Sequence, residues 1–332
     1  MKAAAYLRTG GPEVLEYLDV PDPDPAPDGL IIEVRAIGIQ GGDVLNRAGG
    51  AMTASPHVVG YQAAGVVAAL GPAAPPAASG GFARGQRVVA SAASGSHAEL
   101  FAVGPSRTWA IPDGMSFETA ASIPIEFGTA DDCLFEFGGL RAGETVLVQA
   151  AAGGVGLAAV QLAKAAGARV LGTASSDERL ARLGGYGLDV PINYAREDVI
   201  GAVLAATDGA GADLVVDSVG GPTLESSIGA LAYRGRLSWV GNAGRATSPP
   251  QIGGLMGKNA ALHGVYLGAE LNLDGRGARG GRAHAMIQRL IERVGAGQLR
   301  AVIDSEFPLA EAAAAHRHIE SRAAFGRVLL IP

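Results

Sequence analysis

The sequence predicts an α/β protein that combines a doubly wound, parallel six-stranded sheet with a separate β-rich domain. The chain has 332 residues, which is long for one hydrophobic core. From residue 145 onward, apolar strand-like runs alternate with helical segments, which is typical of a parallel sheet. Residues 1–120 instead contain short strand-like runs divided by Pro and Gly.

The composition indicates a globular protein and argues against several classes of partner. Hydrophobic residues make up 48% of the chain and charged residues 17%, and the 50 glycines have no Gly-X-Y period. The net charge is −6 and there is no run of Lys and Arg, so we expect no nucleic-acid partner. The single cysteine, Cys133, cannot form an internal disulfide, and the N-terminus lacks a signal-peptide pattern. We therefore expect a cytoplasmic protein.

The β-rich domain is predicted over residues 1–120. Its strand-like runs are "LIIEVRAIG", "AAGVVAALG", "QRVVA" and "HAELFAV", which favour an antiparallel, partly barrel-like arrangement. Residues 71–85 form a Pro/Ala/Gly-rich stretch that is typical of a solvated loop.

An uncharged stretch from residue 145 to residue 163 raises the question of a membrane span. Gly153, Gly154 and Gly156 interrupt it, and "TVLVQ" before them is strand-like while "LAAVQLAKAAG" after them is helical. The pattern predicts strand, tight turn and helix, and no membrane span. Ala151-x-Gly153-x-x-Gly156 has the spacing of a dinucleotide-binding turn, although close packing of helix on strand would also require small residues there.

The alternation then continues to about residue 262. The predicted strands are "ARVLGTA", "VPINY", "ADLVVDSVG", "RLSWVG" and "AALHGVY", and the predicted helices are "DERLARLGGYG", "DVIGAVLAATDG" and "TLESSIGALAYRG". With "TVLVQ" these give a six-stranded sheet in a domain at 121–262. We expect residues 263–332, with the helix "LAEAAAAHRHIESR", to complete the first domain.

One group of residues around the glycine turn matches a family signature: Gly143, Glu144, Leu147, Ala151, Ala152, Gly153, Gly154, Gly156, Gln161 and Lys164. On these residues the chain resembles the zeta-crystallin-like quinone oxidoreductases, a zinc-free branch of the medium-chain dehydrogenase/reductases. "RTGGPEVLE", "GFARGQRV", "GSHAE", "DSVGG" and "ESRAAFGRVLLIP" extend the likeness along the chain. The resemblance implies a GroES-like catalytic domain, a Rossmann domain, a cleft between them, NADPH as hydride donor and a homodimer.

The positions that hold zinc in related enzymes carry other residues here. In "GIQGGD" and "GYQAAG", Gln40 stands at the cysteine position, and Tyr61 and Gln62 replace His and Glu. None of the six histidines lies at metal-ligand spacing from cysteine or a carboxylate. We therefore expect no catalytic metal.

The residues after the second predicted strand favour NADPH over NADH. Ser175 and Ser176 leave room at the strand end, and Arg179 offers a planar cation to a 2′-phosphate. The resemblance adds Tyr194 and Arg322 to this phosphate site. Asp177 or Glu178 could instead bind a ribose hydroxyl and admit NADH, and this alternative stays open.

The resemblance also implies the remaining cofactor contacts. They lie in the glycine turn, in "FGTA" and near predicted strand ends, at Thr129, Ala151, Ala152, Gly153, Gly154, Val155, Gly156, Val219, Gly241, Asn242, Val265 and Tyr266.

The chemistry expected is hydride transfer, which needs donors fixed beside the substrate's carbonyl oxygen. Gln40 is the candidate donor, with Asp43 beside it and Thr129 next to the nicotinamide ribose. Two alternatives stay open: Asp43 and Arg47 as an internal ion pair, and Thr129 as a capping hydroxyl.

Three departures from the family leave the substrate open. Leu45 replaces a tyrosine found in some members, so the proton would come from solvent, and Gln62 has no assigned role. Asp131 and Asp132 would place negative charge near the domain junction or on a helix surface. We expect an NADPH-dependent reductase of quinones or α,β-unsaturated carbonyls. The alternatives are an enoyl-thioester reductase and a non-catalytic, crystallin-like NADPH-binding protein.

Overall fold

The chain divides into two compact units in a computed structural model that describes residues 1–79, 81–273 and 281–332. The first unit comprises Met1–Ile125 and Ala269–Pro332, and the second comprises Glu126–Gly268. Within the described ranges, no helix is both long enough and apolar enough to cross a membrane.

The first unit is built mainly from strands. They are β1 (Lys2–Tyr6), β2 (Glu16–Asp19), β3 (Leu30–Gly38), β4 (His57–Val58), β5 (Gln62–Leu70), β6 (Arg87–Ser91), β7 (Leu100–Val103), β8 (Thr108–Ala110), β15 (Ile303–Pro308) and β16 (Arg327–Ile331). Its helices are α1 (Gly41–Gly49), α2 (Phe117–Ala120), α10 (Arg282–Gly295) and α11 (Ala312–Glu320). Short 3₁₀ turns occur at Pro12–Val14, Ala77–Ser79, Pro105–Arg107 and Leu309–Glu311.

Two sheets organise the first unit. The larger has the order β15-β16-β3-β5-β6-β8, with β7 also paired to β3, and the smaller has the order β2-β1-β4. Pairing is antiparallel except between β15 and β16, which run parallel, so the sheet is mixed and not purely antiparallel as expected. Ile32, Ile37 and Phe101 lie in the core of this unit and are at most 1% exposed.

The second unit contains β9 (Thr145–Val148), β10 (Arg169–Ala174), β11 (Val190–Asn193), β12 (Ala212–Asp217), β13 (Leu231–Trp239) and β14 (Ala261–Gly264). Its helices are α4 (Gly154–Ala165), α5 (Asp177–Gly184), α6 (Val199–Ala206), α7 (Pro222–Ala230) and α8 (Gly254–Lys258). Helices α3 (Pro124–Asp131) and α9 (Leu267–Leu273) carry the chain between the units.

The six strands of the second unit form one parallel sheet in the order β11-β10-β9-β12-β13-β14. This confirms the predicted doubly wound sheet, and the strand order reverses between β9 and β12. Val146, Leu147 and Val148 in the central strand are fully buried, which explains its unbroken apolar run.

The predicted end of the seventh helix was wrong. The run "TLESSIGALAYRG" suggested a helix to Gly235, but α7 ends at Ala230 and β13 begins at Leu231. Leu231 is 1% exposed and pairs with Ala212, so burial in the sheet outweighs helix propensity. A register shift follows, and Arg234 takes the left-handed conformation with φ of 62°.

Candidate functional site

The residues predicted to bind the cofactor in the second unit lie almost entirely just beyond the carboxyl ends of its six strands. Ala151–Gly156 follow β9, Ser175 and Ser176 follow β10, Tyr194 follows β11, Val219 follows β12, Gly241 and Asn242 follow β13, and Val265 and Tyr266 follow β14. Because parallel strands end at one edge of the sheet, the fold brings all of these positions to that edge.

The turn after β9 leaves space where a dinucleotide's phosphates would lie. Gly153 is the N-cap of α4, and a Cβ atom added there would meet only the Ala150 carbonyl oxygen, at 3.4 Å. A Cβ added at Gly156 would lie 2.4 Å from that same oxygen. Gly156 is therefore required by packing, whereas the absence of a side chain at Gly153 leaves the amide end of the helix open.

The end of β10 carries the predicted phosphate-binding group. Arg179 donates from Nη1 to the Ser175 hydroxyl at 3.1 Å, and its backbone N–H donates to the Ser176 hydroxyl, which caps α5, at 3.4 Å. Tyr194 lies on the neighbouring strand end, where its N–H donates to the Ala174 carbonyl at 3.2 Å, and its side chain is 47% exposed. Two hydroxyls, one guanidinium and one phenol thus share this end of the sheet.

Asp177, one of the two acids that could bind a ribose, already has partners. Its carboxylate accepts a hydrogen bond from Asn193 Nδ2 at 2.7 Å and forms an ion pair with Arg196. These partners, the Asn193 hydrogen bond foremost, lower the pKa of the Asp177 carboxyl. Glu178, the second acid, is exposed in the first turn of α5.

The loops after β12 and β13 pack against each other. Gly220 has φ of 74°, and a Cβ there would approach Asn242 Oδ1 to 2.9 Å and the Gly241 carbonyl oxygen to 3.0 Å. Val219 accepts a hydrogen bond at its carbonyl from Gly244 at 2.8 Å. After β14, Val265 is buried, whereas Tyr266 is 72% exposed.

Thr129 lies inside α3 and not at its N-terminus, which argues against the capping alternative. The residue is 6% exposed.

An acidic residue, Asp132, lies three positions after Thr129. Asp132 is completely buried in a π-helical turn, Asp132–Glu136, so a helix-surface position was wrong for this residue. Cys133 in the same turn is buried, which raises the pKa of its thiol.

In the first unit, Gln40 and Asp43 form a capping box at the start of α1. The Asp43 carboxylate accepts a hydrogen bond from the Gln40 backbone N–H at 2.8 Å. Both residues are buried, with 3% and 0% of their surface exposed. Asp43 therefore fixes the backbone at Gln40.

Arg47 was the other member of the ion pair that the sequence left open, and the structure gives it an ion pair with a residue of α11. Arg47 is fully buried, and its carboxylate partner is Glu320, with Nη2 and Oε1 2.5 Å apart. Arg47 also donates to the Gly10 carbonyl at 3.2 Å and from Nη1 to Nδ1 of His316 at 3.2 Å. The side chain of Arg47 points from α1 toward α11, which sequence spacing alone could not indicate.

Two buried histidines continue this contact. Nε2 of His316 lies 3.2 Å from Nε2 of His97, whose Nδ1 is 3.5 Å from the Ser96 hydroxyl. Burial, followed by the charge of Arg47, lowers the pKa of His316 to about 3. Burial, followed by the interaction with His316, also lowers the pKa of His97 well below its usual range. Both imidazoles are therefore neutral near pH 7.

Gln62 acquires a clear structural role. Its Nε2 donates to the Ala121 carbonyl at 2.5 Å, and its Oε1 accepts from the Ile125 N–H at 2.8 Å. The amide thereby ties β5 to the first turn of α3 and to the segment before it. Within residues 1–79, 81–273 and 281–332, no group of three or more His, Cys, Asp or Glu side chains is arranged to hold a metal ion.

Arg322, the third residue expected at the phosphate, belongs to the first unit and follows α11. It has φ of 58°, and its N–H donates to the Ile319 carbonyl at 3.0 Å. Nearby, the Phe325 N–H donates to the Asp304 carboxylate at 2.8 Å. The loop that presents Arg322 is thus held at both of its ends.

Sequence reasoning did not single out four buried polar side chains beneath the strand ends: Gln149, Thr173, Asp217 and Ser227. They are joined by hydrogen bonds of 2.8–3.0 Å. The available signal was a polar residue closing an otherwise apolar strand, as in "TVLVQ", "VLGTA" and "DLVVD".

Comparison with known proteins gives consistent results along the whole chain. Residues 26–122 match the family model of the alcohol dehydrogenase GroES-like domain, and residues 154–276 match that of the zinc-binding dehydrogenases. A quinone oxidoreductase of Pseudomonas aeruginosa is 36% identical over all of this chain and 99% of its own length.

Solved structures show the same likeness. The chain is similar to Escherichia coli quinone oxidoreductase in complex with NADPH, with 30% identity, complete coverage of both chains and a TM-score of 0.91. It is also similar to a mycobacterial protein in complex with NADPH, with 33% identity, complete coverage of both chains and a TM-score of 0.93.

Proposed function

The chain belongs to the quinone oxidoreductase family, and we propose that it transfers a hydride from NADPH to a quinone or an α,β-unsaturated carbonyl compound. The observation that carries this proposal is the collection of small, polar and aromatic residues at the carboxyl edge of the parallel sheet. In open α/β sheets, ligands bind at that edge, next to the point where the strand order reverses.

The residues present fit a dinucleotide. The open space at Gly153 faces the N-terminus of α4, a helix of 12 residues whose first N–H groups and dipole favour a negatively charged group. We assign the pyrophosphate to Ala151–Gly156 and the rest of the cofactor to Val219, Gly241, Asn242 and Val265.

We assign the 2′-phosphate of NADPH to Ser175, Ser176, Arg179 and Tyr194 of the second unit, and the role that the resemblance gives to Arg322 stays a prediction. Arg179 supports this assignment because its guanidinium lies against the Ser175 hydroxyl at the end of β10. The ion pair of Asp177 with Arg196 counts against Asp177 as a ligand for the ribose of NADH.

NADPH supplies the hydride, and the protein's task is to bind, orient and exclude water. We propose that Gln40 donates a hydrogen bond to the carbonyl oxygen on which negative charge develops. Asp43 positions Gln40 through its backbone N–H. The Thr129 hydroxyl is assigned to the nicotinamide ribose, and solvent supplies the proton.

We further propose that the enzyme works without zinc. Gln40, Tyr61 and Gln62 occupy the positions of zinc ligands in related enzymes, and both ends of the Gln62 amide are engaged by backbone groups. Metal analysis of the purified protein should give far less than one zinc per chain, and a chelator should not lower turnover. One zinc per chain would contradict this proposal.

A cytoplasmic homodimer is the remaining part of the proposal. The single cysteine fits a reducing compartment, and β14 lies at one edge of the six-stranded sheet, where a second copy could pair. Sedimentation of the purified protein should give twice the monomer mass.

Turnover tests the function directly. NADPH oxidation is followed with a panel of quinones, enones and enoyl thioesters, and NADPH binding is measured separately by fluorescence. We expect turnover with quinones or enones. Turnover only with enoyl thioesters would identify an enoyl-thioester reductase, and NADPH binding without any turnover would identify a non-catalytic binding protein.

A further inference from the structure

Four polar side chains lie buried under the carboxyl ends of three neighbouring strands in the second unit. Gln149 follows β9, Thr173 belongs to β10, Asp217 ends β12 and Ser227 lies in α7. Each is at most 3% exposed. Buried polar groups are costly unless they are hydrogen-bonded, so their partners reveal what they do.

The four side chains form one continuous chain of hydrogen bonds. The Ala150 N–H donates to the Thr173 hydroxyl at 3.1 Å, and that hydroxyl donates to Oε1 of Gln149 at 2.8 Å. Nε2 of Gln149 then donates to the Ser227 hydroxyl at 3.0 Å, and Ser227 donates to the Asp217 carboxylate at 2.8 Å.

The direction of this chain is fixed by its two ends. A backbone N–H can only donate and a carboxylate can only accept, so each hydroxyl proton between them has one orientation. The second carboxylate oxygen of Asp217 accepts hydrogen bonds from the N–H groups of Val219 and Gly220, at 2.8 and 2.9 Å. The single carboxyl group of Asp217 therefore holds the loop after β12 directly and the loop after β9 through three side chains.

Both loops contain a residue in a left-handed conformation. Ala150 has φ of 51° and Gly220 has φ of 74°. For a residue with a Cβ atom such a conformation is strained and persists only when surrounding contacts impose it. The hydrogen bond from the Ala150 N–H to Thr173 is such a contact.

We propose that Asp217, Ser227, Gln149 and Thr173 are positioning residues that set the separation and orientation of the two loops enclosing the dinucleotide. This inference rests on the proposed function, since it assumes that NADPH binds at the carboxyl edge of the sheet. None of the four needs to touch the cofactor, because they act through the backbone of Ala150, Val219 and Gly220.

A matched pair at Thr173 separates positioning from packing. Thr173→Val keeps the shape and removes the hydroxyl, whereas Thr173→Ser keeps the hydroxyl and removes a methyl group. We expect Thr173→Val to raise the Kd for NADPH about tenfold and Thr173→Ser to recover most of the affinity. If Thr173→Ser lost affinity and Thr173→Val kept it, Thr173 would serve only packing and the proposal would be wrong.

Neighbouring serines on α7 provide a second test that does not depend on Thr173. Ser227→Ala breaks the chain, whereas Ser226→Ala removes an exposed hydroxyl that donates to the Pro222 carbonyl at 3.2 Å. We expect a higher Kd for NADPH in Ser227→Ala alone, with thermal melting confirming that both variants fold. Equal Kd values in these two variants would overturn the proposal.

Coupling between the two ends of the chain is the sharpest test. Asp217→Asn keeps an oxygen for Val219 and Gly220 but presents a donor to Ser227, which already receives one from Gln149. If Thr173→Val and Asp217→Asn act through one chain, the double variant raises Kd by much less than the product of the single effects. If the double variant raised the Kd by the full product of the two single effects, the two residues would not act through one chain of hydrogen bonds, and the proposal would be wrong. Failure of the unaltered protein to bind NADPH would instead contradict the proposed function.

Discussion

Lowering the pH from 7.5 to 5.0 should destabilise the first unit through its two buried histidines. His316 and His97 have lowered pKa values in the folded protein, mainly because burial disfavours the charged imidazole. A histidine whose pKa is lowered by folding costs no stability above the pKa of about 6.5 that it has in the unfolded chain. As the pH falls below that value, the unfolded chain takes up a proton that the folded protein excludes, so the free energy of unfolding decreases.

The structure sets the size of the effect. With a folded pKa of about 3, His316 is still neutral at pH 5.0, whereas the unfolded chain binds a proton there. The loss is then about 2 kcal/mol for His316, because at this pH it depends only on the unfolded pKa. For His316 alone this is a sizeable share of the roughly 5–15 kcal/mol typical of a folded protein, and the lowered pKa of His97 acts in the same direction.

The arrangement around His316 explains why protonation is resisted. Arg47 can only donate, so Nδ1 of His316 must accept and its proton lies on Nε2, facing Nε2 of His97. Protonating His316 would place a second cation against the guanidinium of Arg47. The carboxylate of Glu320 already balances the charge of Arg47. It contacts Nη2 of the guanidinium and not Nη1, the nitrogen that faces His316.

Denaturant unfolding at the two pH values measures this effect. The chain has two tryptophans, and Trp239→Phe leaves Trp109, which is fully buried in the first unit, as the reporter. The unfolding midpoint is used and not the intensity, because the His284 ring stacks on Trp109 at 5.3 Å. We expect a lower midpoint at pH 5.0, and a smaller loss between the two pH values in a His316→Gln variant. An equal midpoint at both pH values would refute the reasoning.

Three further predictions concern binding and catalysis. Gly153→Val should fold normally and lose NADPH affinity. Gly156→Ala should lower the melting temperature, because its Cβ would lie 2.4 Å from a carbonyl oxygen. If Gly153→Val bound NADPH as tightly as the unaltered protein, the turn would not belong to the binding site. Arg179→Gln should raise the Kd for NADPH about tenfold or more and leave that for NADH unchanged, and parallel changes for both cofactors would contradict the 2′-phosphate assignment. Gln40→Ala should lower kcat by roughly 100-fold with an unaltered Kd for NADPH, and an unaltered kcat would show that Gln40 only caps α1.

The fold was predictable wherever one short segment determines its own structure. The run "LIIEVRAIG" coincides with β3, Leu30–Gly38, because seven of its nine positions are buried and its ends are marked by glycine. The glycine turn and the parallel strands were equally visible, and with them the edge of the sheet at which a cofactor would bind. The start of β13 could not be predicted in this way, because Leu231 pairs with Ala212, a residue of another strand.

The polar partners were not predictable for a related reason. Arg47 and Glu320 are 273 residues apart, and Arg47 and His316 are 269 residues apart, so no local spacing relates them. In the sequence the nearer acid, Asp43, looked like the natural partner of Arg47. The structure instead uses the Asp43 carboxylate in the capping box at the backbone of Gln40 and pairs Arg47 with Glu320.

The buried polar chains of the two units should respond differently to acid. The chain of hydrogen bonds in the second unit runs from a backbone N–H through two hydroxyls and an amide to Asp217 and contains no imidazole. The chain in the first unit contains two imidazoles that must stay neutral. Acid between pH 6.5 and 5 therefore weakens the first unit through its two imidazoles, whereas the hydrogen-bonded chain of the second unit has no histidine to contribute to such a loss.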